Sequence, residues 1–159
     1  MKPSVYIETS VVSYLASRPS RDLIVAGHQQ ITAEWWERDL RKFVALISPV
    51  VVDEISHGDP DTAAKRLQAV AGMELLVVDG TVQSLASTYF SELGLPENGR
   101  IDALHLAVAS HHAVDYLVTW NCRHIANGRV MKRLAELNLS LGIATPMICT
   151  PEELLEYDQ

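Results

Sequence analysis

The chain has 159 residues, of which 48% are hydrophobic and 21% charged, and its net charge is −7. Those figures fit one globular domain with a single sizeable core. They leave no overall basic footprint for a dedicated duplex binder, and no apolar run nears the roughly 20 residues that span a membrane. An acidic balance still admits an enzyme that holds phosphate through metal ions.

Residues 4–8 read as a strand that stops on Glu8, and 10–16 as a helix. A longer amphipathic helix is expected over 21–43, where Ile24, Ile31, Trp35 and Leu40 recur near helical spacing. Residues 44–47 (VALI) read as a second strand. The stretch "SPVVVDEISHGD" is ambiguous. Its three valines favour a strand, whereas Ser48 before Pro49 resembles an N-cap and first helical position. The reading adopted is a short helix ending near Gly58. Asp59-Pro60 opens a helix over 60–72, and 74–78 reads as a third strand. Helices follow at 80–93 and 100–113, separated by the Gly94–Gly99 breaker cluster. "DYLVTWN" implies a fourth strand at 116–119, followed by a helix over 129–139, and "MICT" implies a fifth strand. Pro151 starts a last helix, with Thr150 as N-cap and Glu153 three residues later in a capping-box pattern.

Strands regularly separated by helices imply a parallel sheet covered on both faces. The expected fold is α/β: a three-layer α/β/α sandwich with a central parallel sheet of four to five strands. The N-terminus lacks the basic-then-apolar pattern of a secretion signal, which makes the cytoplasm the expected location. Cys122 and Cys149 form neither a CxxC pair nor a disulfide framework, as reduced thiols would.

Sites in open parallel sheets lie beyond the carboxyl ends of the strands. Strand one ends at Glu8 and strand four at Thr119-Trp120-Asn121, while the segment after strand two carries Asp53 and Glu54 back over the same edge. In "RIDALHLAVASHHAV" the run from Ile101 to Ala109 is apolar except at Asp102 and His105. A helix of that kind is largely buried, and a buried carboxylate is costly unless paired or bound to a cation. An acid in the first turn also favours the helix dipole, a sufficient reason for Asp102 taken alone. Each acid singly reads as a solvated group; together Glu8, Glu54 and Asp102 suit Mg²⁺ or Mn²⁺, which prefer carboxylate and water ligands. Such ions activate water and neutralise charge on a phosphodiester.

Four segments, "VYIETSVVSYL", "ISPVVVDEI", "RIDALHLAVA" and "DYLVTWNCRHI", occur in the order found in PIN domains. The chain resembles the bacterial toxin-type members, often called VapC-like toxins, over nearly its whole length. The resemblance implies a single PIN-like domain over 1–159 and a ribonuclease dependent on Mg²⁺ or Mn²⁺. It also implies an RNA substrate, a cognate antitoxin protein, a homodimer, and no membrane association. By resemblance the site residues are Glu8, Glu54, Asp102 and Asn121. Glu8 and Asp102 would hold the ion, with Glu54 doing so directly or through water, and Asn121 would orient a water. Thr9, Ser10 and Thr119 would supply supporting hydroxyls. Water activated by the ion would attack phosphorus in line, leaving a 5′-phosphate and a 3′-hydroxyl.

Two positions depart from the family pattern. Glu8 stands where Asp is usual, and its extra methylene moves the carboxylate by about 1.5 Å. Asn121 stands where a fourth Asp is usual and brings no charge. A catalytically weakened module that acts by binding RNA or protein is therefore the alternative function. A phosphoacceptor receiver-type domain shares the sheet and the acids but would need paired acids after its first strand and a late-strand lysine, which are missing.

Other polar residues have competing explanations. His105, at i+3 from Asp102, raises a mixed zinc site, but no second histidine or cysteine falls at a convincing spacing. Arg123 and His124 are candidates to grip a phosphate, against the simpler account of solvated side chains. Arg38, Arg41 and Lys42 make a basic spot that reads as a solvated helix face. His111 and His112 suit a helix end, where positive charge is favourable. Adjacent Trp35 and Trp36 point about 100° apart on a helix, so core packing and an interface are both open for them.

Overall fold

A computed structural model describes residues 1–158. The elements run β1 (Ser4–Ile7), α1 (Thr9–Ala16), α2 (Leu23–Arg38), β2 (Val44–Ile47), α3 (Pro49–Ile55), α4 (Pro60–Ala69) and β3 (Glu74–Leu75). They continue with α5 (Gly80–Glu92), α6 (Arg100–His111), β4 (Tyr116–Val118), α7 (Gly128–Leu141) and β5 (Met147–Cys149). All five strands are parallel, in the order β3-β2-β1-β4-β5, and helices cover the sheet in the expected three-layer α/β/α sandwich.

That order places the site. From β1 the chain steps outward through β2 to β3, then returns to the other side of β1 as β4. The reversal makes β1/β4 a topological switch point, where a crevice opens beyond the carboxyl ends. Val5, Tyr6 and Ile7 of β1 are wholly buried, as suits the central strand of a covered parallel sheet. In α6, Ala103 and the run His105–Ser110 are buried, so this helix is enclosed almost all round. Among the described residues no helix is long and apolar enough to cross a membrane.

The expected elements hold with local corrections. Glu8 leaves the strand and caps α1, its side chain accepting the Ser10 N–H, so the helix starts at Thr9. The helix expected over 21–43 stops at Arg38, where the buried Asp39 carboxylate accepts from Lys42 Nζ at 2.6 Å. The intervening residues close a 3₁₀ turn at Leu40–Lys42. The third strand, expected over 74–78, pairs only at Glu74–Leu75, because it is an edge with Leu75 and Val77 exposed. The last helix is a single 3₁₀ turn, Pro151–Leu154, although Glu153 does accept the Thr150 N–H at 2.9 Å.

Two surface readings are settled by partners. Arg38 meets Glu34 at 2.6 Å, and Lys42 lies between Asp39 and Glu156 at 2.6 Å each, so local acids neutralise that part of the basic spot. Trp35 is fully buried and Trp36 is half-buried, packed edge-on against it at 79°. Core packing accounts for the Trp35 ring, although its buried indole N–H has no partner among the described residues, and Trp36 packs on the edge of that core.

Candidate metal centre

Three chain segments meet at the switch point. Glu8 arrives at the end of β1, Glu54 on the last turn of α3, and Asp102 and His105 on successive turns of α6. α3 starts at Pro49 with Ser48 as N-cap, yet the Ser48 hydroxyl makes no capping bond. It lies instead 2.8 Å from Tyr6 Oη, inside the core.

Glu8 is 5% exposed. Its Oε1 accepts from the hydroxyls of Ser10 at 2.5 Å and Thr119 at 2.6 Å, and its Oε2 accepts the Ser10 N–H at 3.1 Å. These donors hold one carboxylate orientation in a place where an unpaired charge would be costly. Glu54 Oε1 accepts from Thr9 Oγ1 at 2.7 Å and lies 2.6 Å from His105 Nε2. All three hydroxyls expected to support the acids, Thr9, Ser10 and Thr119, thus donate to a carboxylate.

His105 joins the two acids. Its Nε2 is 2.6 Å from Glu54 Oε1 and 4.0 Å from Glu8 Oε2, and its Nδ1 is 2.8 Å from Tyr6 Oη. One ligand atom from each of Glu8, Glu54 and His105 lies within 4.8 Å of the other two. Burial works to lower the His105 pKa, but the Glu54 hydrogen bond and the charges of Glu8, Glu54 and Asp102 outweigh it and raise it. Burial works to raise the Glu54 pKa, and the His105 hydrogen bond and charge, with the Thr9 hydroxyl, reverse that and lower it. Both directions describe one pair, in which each partner favours the charged form of the other. Burial pushes the Tyr6 phenol upward, which keeps its proton on the oxygen.

Asp102 lies outside that triad. Its Oδ1 accepts from Asn121 Nδ2 at 2.9 Å, and its Oδ2 lies 2.7 Å from His124 Nδ1. Asn121 Oδ1 in turn accepts the His124 backbone N–H at 3.0 Å. Each end of the Asn121 amide therefore has a protein partner, with one further hydrogen bond left on each. In this structure it fixes Asp102, and the remaining position at each end of the amide is compatible with the expected water. Arg123 is exposed in the turn between the two residues of that clamp.

Behind the site the residues after β4 are pinned to the first two helices. The Trp120 N–H donates to Ser10 Oγ at 2.8 Å, and the Trp120 indole N–H donates to Thr32 Oγ1 at 2.7 Å. The His28 ring stacks on Trp120 with centroids 4.0 Å apart and planes 12° apart.

The donor set fits a divalent cation: two carboxylates and an imidazole nitrogen from three elements, with Glu8 and His105 as floor and the one-third exposed Glu54 side chain as the open side. Sequence reasoning brings Glu8 and Glu54 to this place and sets His105 aside. The signal for His105 was a lone polar residue one turn beyond Asp102 on a helix otherwise apolar, a position that burial makes expensive without a partner. The chain matches no family model, no curated protein and no solved structure.

Proposed function

We propose that this chain is a PIN-like, metal-dependent endoribonuclease and serves as the toxin of a toxin–antitoxin pair. The observation that carries the chemistry is the meeting of Glu8, Glu54 and His105 within 4.8 Å at the switch point of a parallel sheet. The toxin role, the antitoxin partner and the homodimer rest on the order of the four sequence segments. A bound Mg²⁺ or Mn²⁺ supplies an activated water and positive charge to a phosphodiester. Glu8 and Glu54 hold the cation, each oriented by hydroxyl donors, and Thr119 and Ser10 keep Glu8 from turning away. Asp102, clamped by Asn121 and His124, adds negative charge beside the triad, and Arg123, exposed in the same turn, is the residue assigned to a substrate phosphate.

The test is cleavage of a labelled single-stranded RNA with Mn²⁺ or Mg²⁺. Cleavage is expected to vanish with EDTA, to fall to background in Glu8→Gln and in Glu54→Gln, and to weaken in Asp102→Asn. Cleavage that survives chelation, or that Glu8→Gln and Glu54→Gln leave unchanged, overturns the reading.

One observation favours a second reading, a non-catalytic PIN-like binding module. His105 already neutralises Glu54 through the 2.6 Å contact, so the acids have a cation of the protein's own. On that reading Mn²⁺ at millimolar concentration does not bind.

A further inference from the structure

A site of carboxylates alone suits a hard cation, and an imidazole placed among them changes the preference. α6 turns His105 into the space between Glu8 and Glu54, where its side chain is 1% exposed. Glu8 Oε2 lies 4.0 Å from His105 Nε2, too long for a hydrogen bond, so Glu8 acts on the ring through its charge alone. Around an ion with ligand bonds of about 2.1 Å, neighbouring ligand atoms lie roughly 3 Å apart and opposite ones roughly 4.2 Å apart. The 4.0 Å spacing falls in that span, and the 2.6 Å contact has only to open slightly.

The groups behind the ring point the same way. A ligating imidazole presents a bare nitrogen to the metal and keeps its proton on the other, where an oxygen receives it. Here Nδ1 faces Tyr6 Oη at 2.8 Å, and Tyr6 Oη faces Ser48 Oγ at 2.8 Å. Tyr6 can accept Nδ1–H while donating its own proton to Ser48. The tautomer with its proton on Nδ1 is thus satisfied on that side, and its bare Nε2, 2.6 Å from the Glu54 carboxylate oxygen, calls for a cation between the two acceptors.

We propose that His105 is a nitrogen ligand of the Glu8–Glu54 site, which therefore selects a divalent first-row transition cation over Mg²⁺. The inference rests on the metal-site half of the proposed function and adds the class of ion. Mg²⁺ keeps oxygen ligands and dehydrates reluctantly, whereas borderline ions accept imidazole readily.

The experiment uses the full chain freed of metal, with Mn²⁺ and Mg²⁺ as probes. Calorimetric titration is expected to show Mn²⁺ binding at least roughly tenfold tighter than Mg²⁺. Pulsed electron paramagnetic resonance of the Mn²⁺ complex is expected to show coupling to a histidine nitrogen, identified by ¹⁵N-histidine labelling. His105→Gln removes the coupling and collapses the preference, while His124→Gln keeps both. Circular dichroism checks that each variant is folded, and the wild-type measurements stand whether or not His105→Gln folds. Affinities for the two ions within about threefold, Mn²⁺ bound without nitrogen coupling, or coupling lost in His124→Gln overturns the proposal. Failure of both ions to bind overturns it together with the metal site. Nitrogen-coupled Mn²⁺ in a protein that cleaves no RNA overturns only the nuclease reading.

Discussion

Replacing His105 with leucine removes the imidazole that stands between two carboxylates and should cost measurable stability in metal-free buffer. Breaking a buried ion pair costs about 3–5 kcal/mol. The Glu54 side chain is 33% exposed, and solvent screening brings the expectation to about 2–3 kcal/mol. Losing the ring's bond to Tyr6 adds about 1 kcal/mol. The sum, about 3–4 kcal/mol, is a large share of the 5–15 kcal/mol that holds a typical domain.

The penalty should also depend on pH, with a sign set by the two shifts. The folded His105 pKa lies above its ordinary 6.5, so its contribution is complete below 6.5 and is lost as pH rises through the folded value. The folded Glu54 pKa lies below its ordinary 4.5, so its contribution is complete above 4.5 and is lost as pH falls through the folded value. Both are present together between 4.5 and 6.5. Urea unfolding followed by tryptophan fluorescence, with EDTA present, should therefore show the full penalty at about pH 6 and a smaller one once the pH has risen through the folded His105 value. A loss under about 1 kcal/mol at pH 6 refutes the charged pair.

Mn²⁺ affinity should move the other way, rising between pH 6 and pH 9, because the ion competes with the proton on His105 Nε2; calorimetry showing a flat or falling affinity contradicts this. Thr32→Val strips the buried Trp120 indole N–H of its 2.7 Å acceptor and should destabilise by about 1–3 kcal/mol in urea unfolding. A change within about 0.5 kcal/mol would show that the bond contributes nothing net. Tyr89→Phe removes the hydroxyl that donates to Asn138 Oδ1 in a fully buried contact and should cost a similar amount, about 1–3 kcal/mol, by the same assay.

How much of this is readable from residues alone depends on which force places them. Strand and helix periodicities are local, and the alternation that implies a parallel sheet survives intact. Glu8 and Glu54 converge because the polar ends of parallel strands must share an edge. The hydroxyls of Thr9, Ser10 and Thr119 are adjacent to those ends, so their roles follow. Choosing between Asp102 and His105 is different in kind. They sit one turn apart on a helix whose apolar residues run nearly all round, so no stripe tells which direction faces the sheet. Packing decides it, turning His105 toward Tyr6 and Glu54 and leaving Asp102 to Asn121 and His124. Helix α2 ends early for a tertiary reason too: Asp39 is bound by the Glu156 N–H from the far end of the chain, at 3.2 Å.

The switch point also ties ligand binding to folding. Thr9 and Glu54 meet across 45 residues of chain, and Glu54 and His105 across 51, and each of these contacts exists only once β1 lies between β2 and β4. An unfolded chain offers scattered carboxylates and no pocket. A cation that needs all three groups then binds the native state alone, and at a hundred times its dissociation constant it adds about 2.7 kcal/mol to unfolding. The size of that increment, read as a shift in the urea midpoint, measures the affinity without any substrate. The ion becomes a fourth element of the core, one whose contribution is set by its concentration outside the protein.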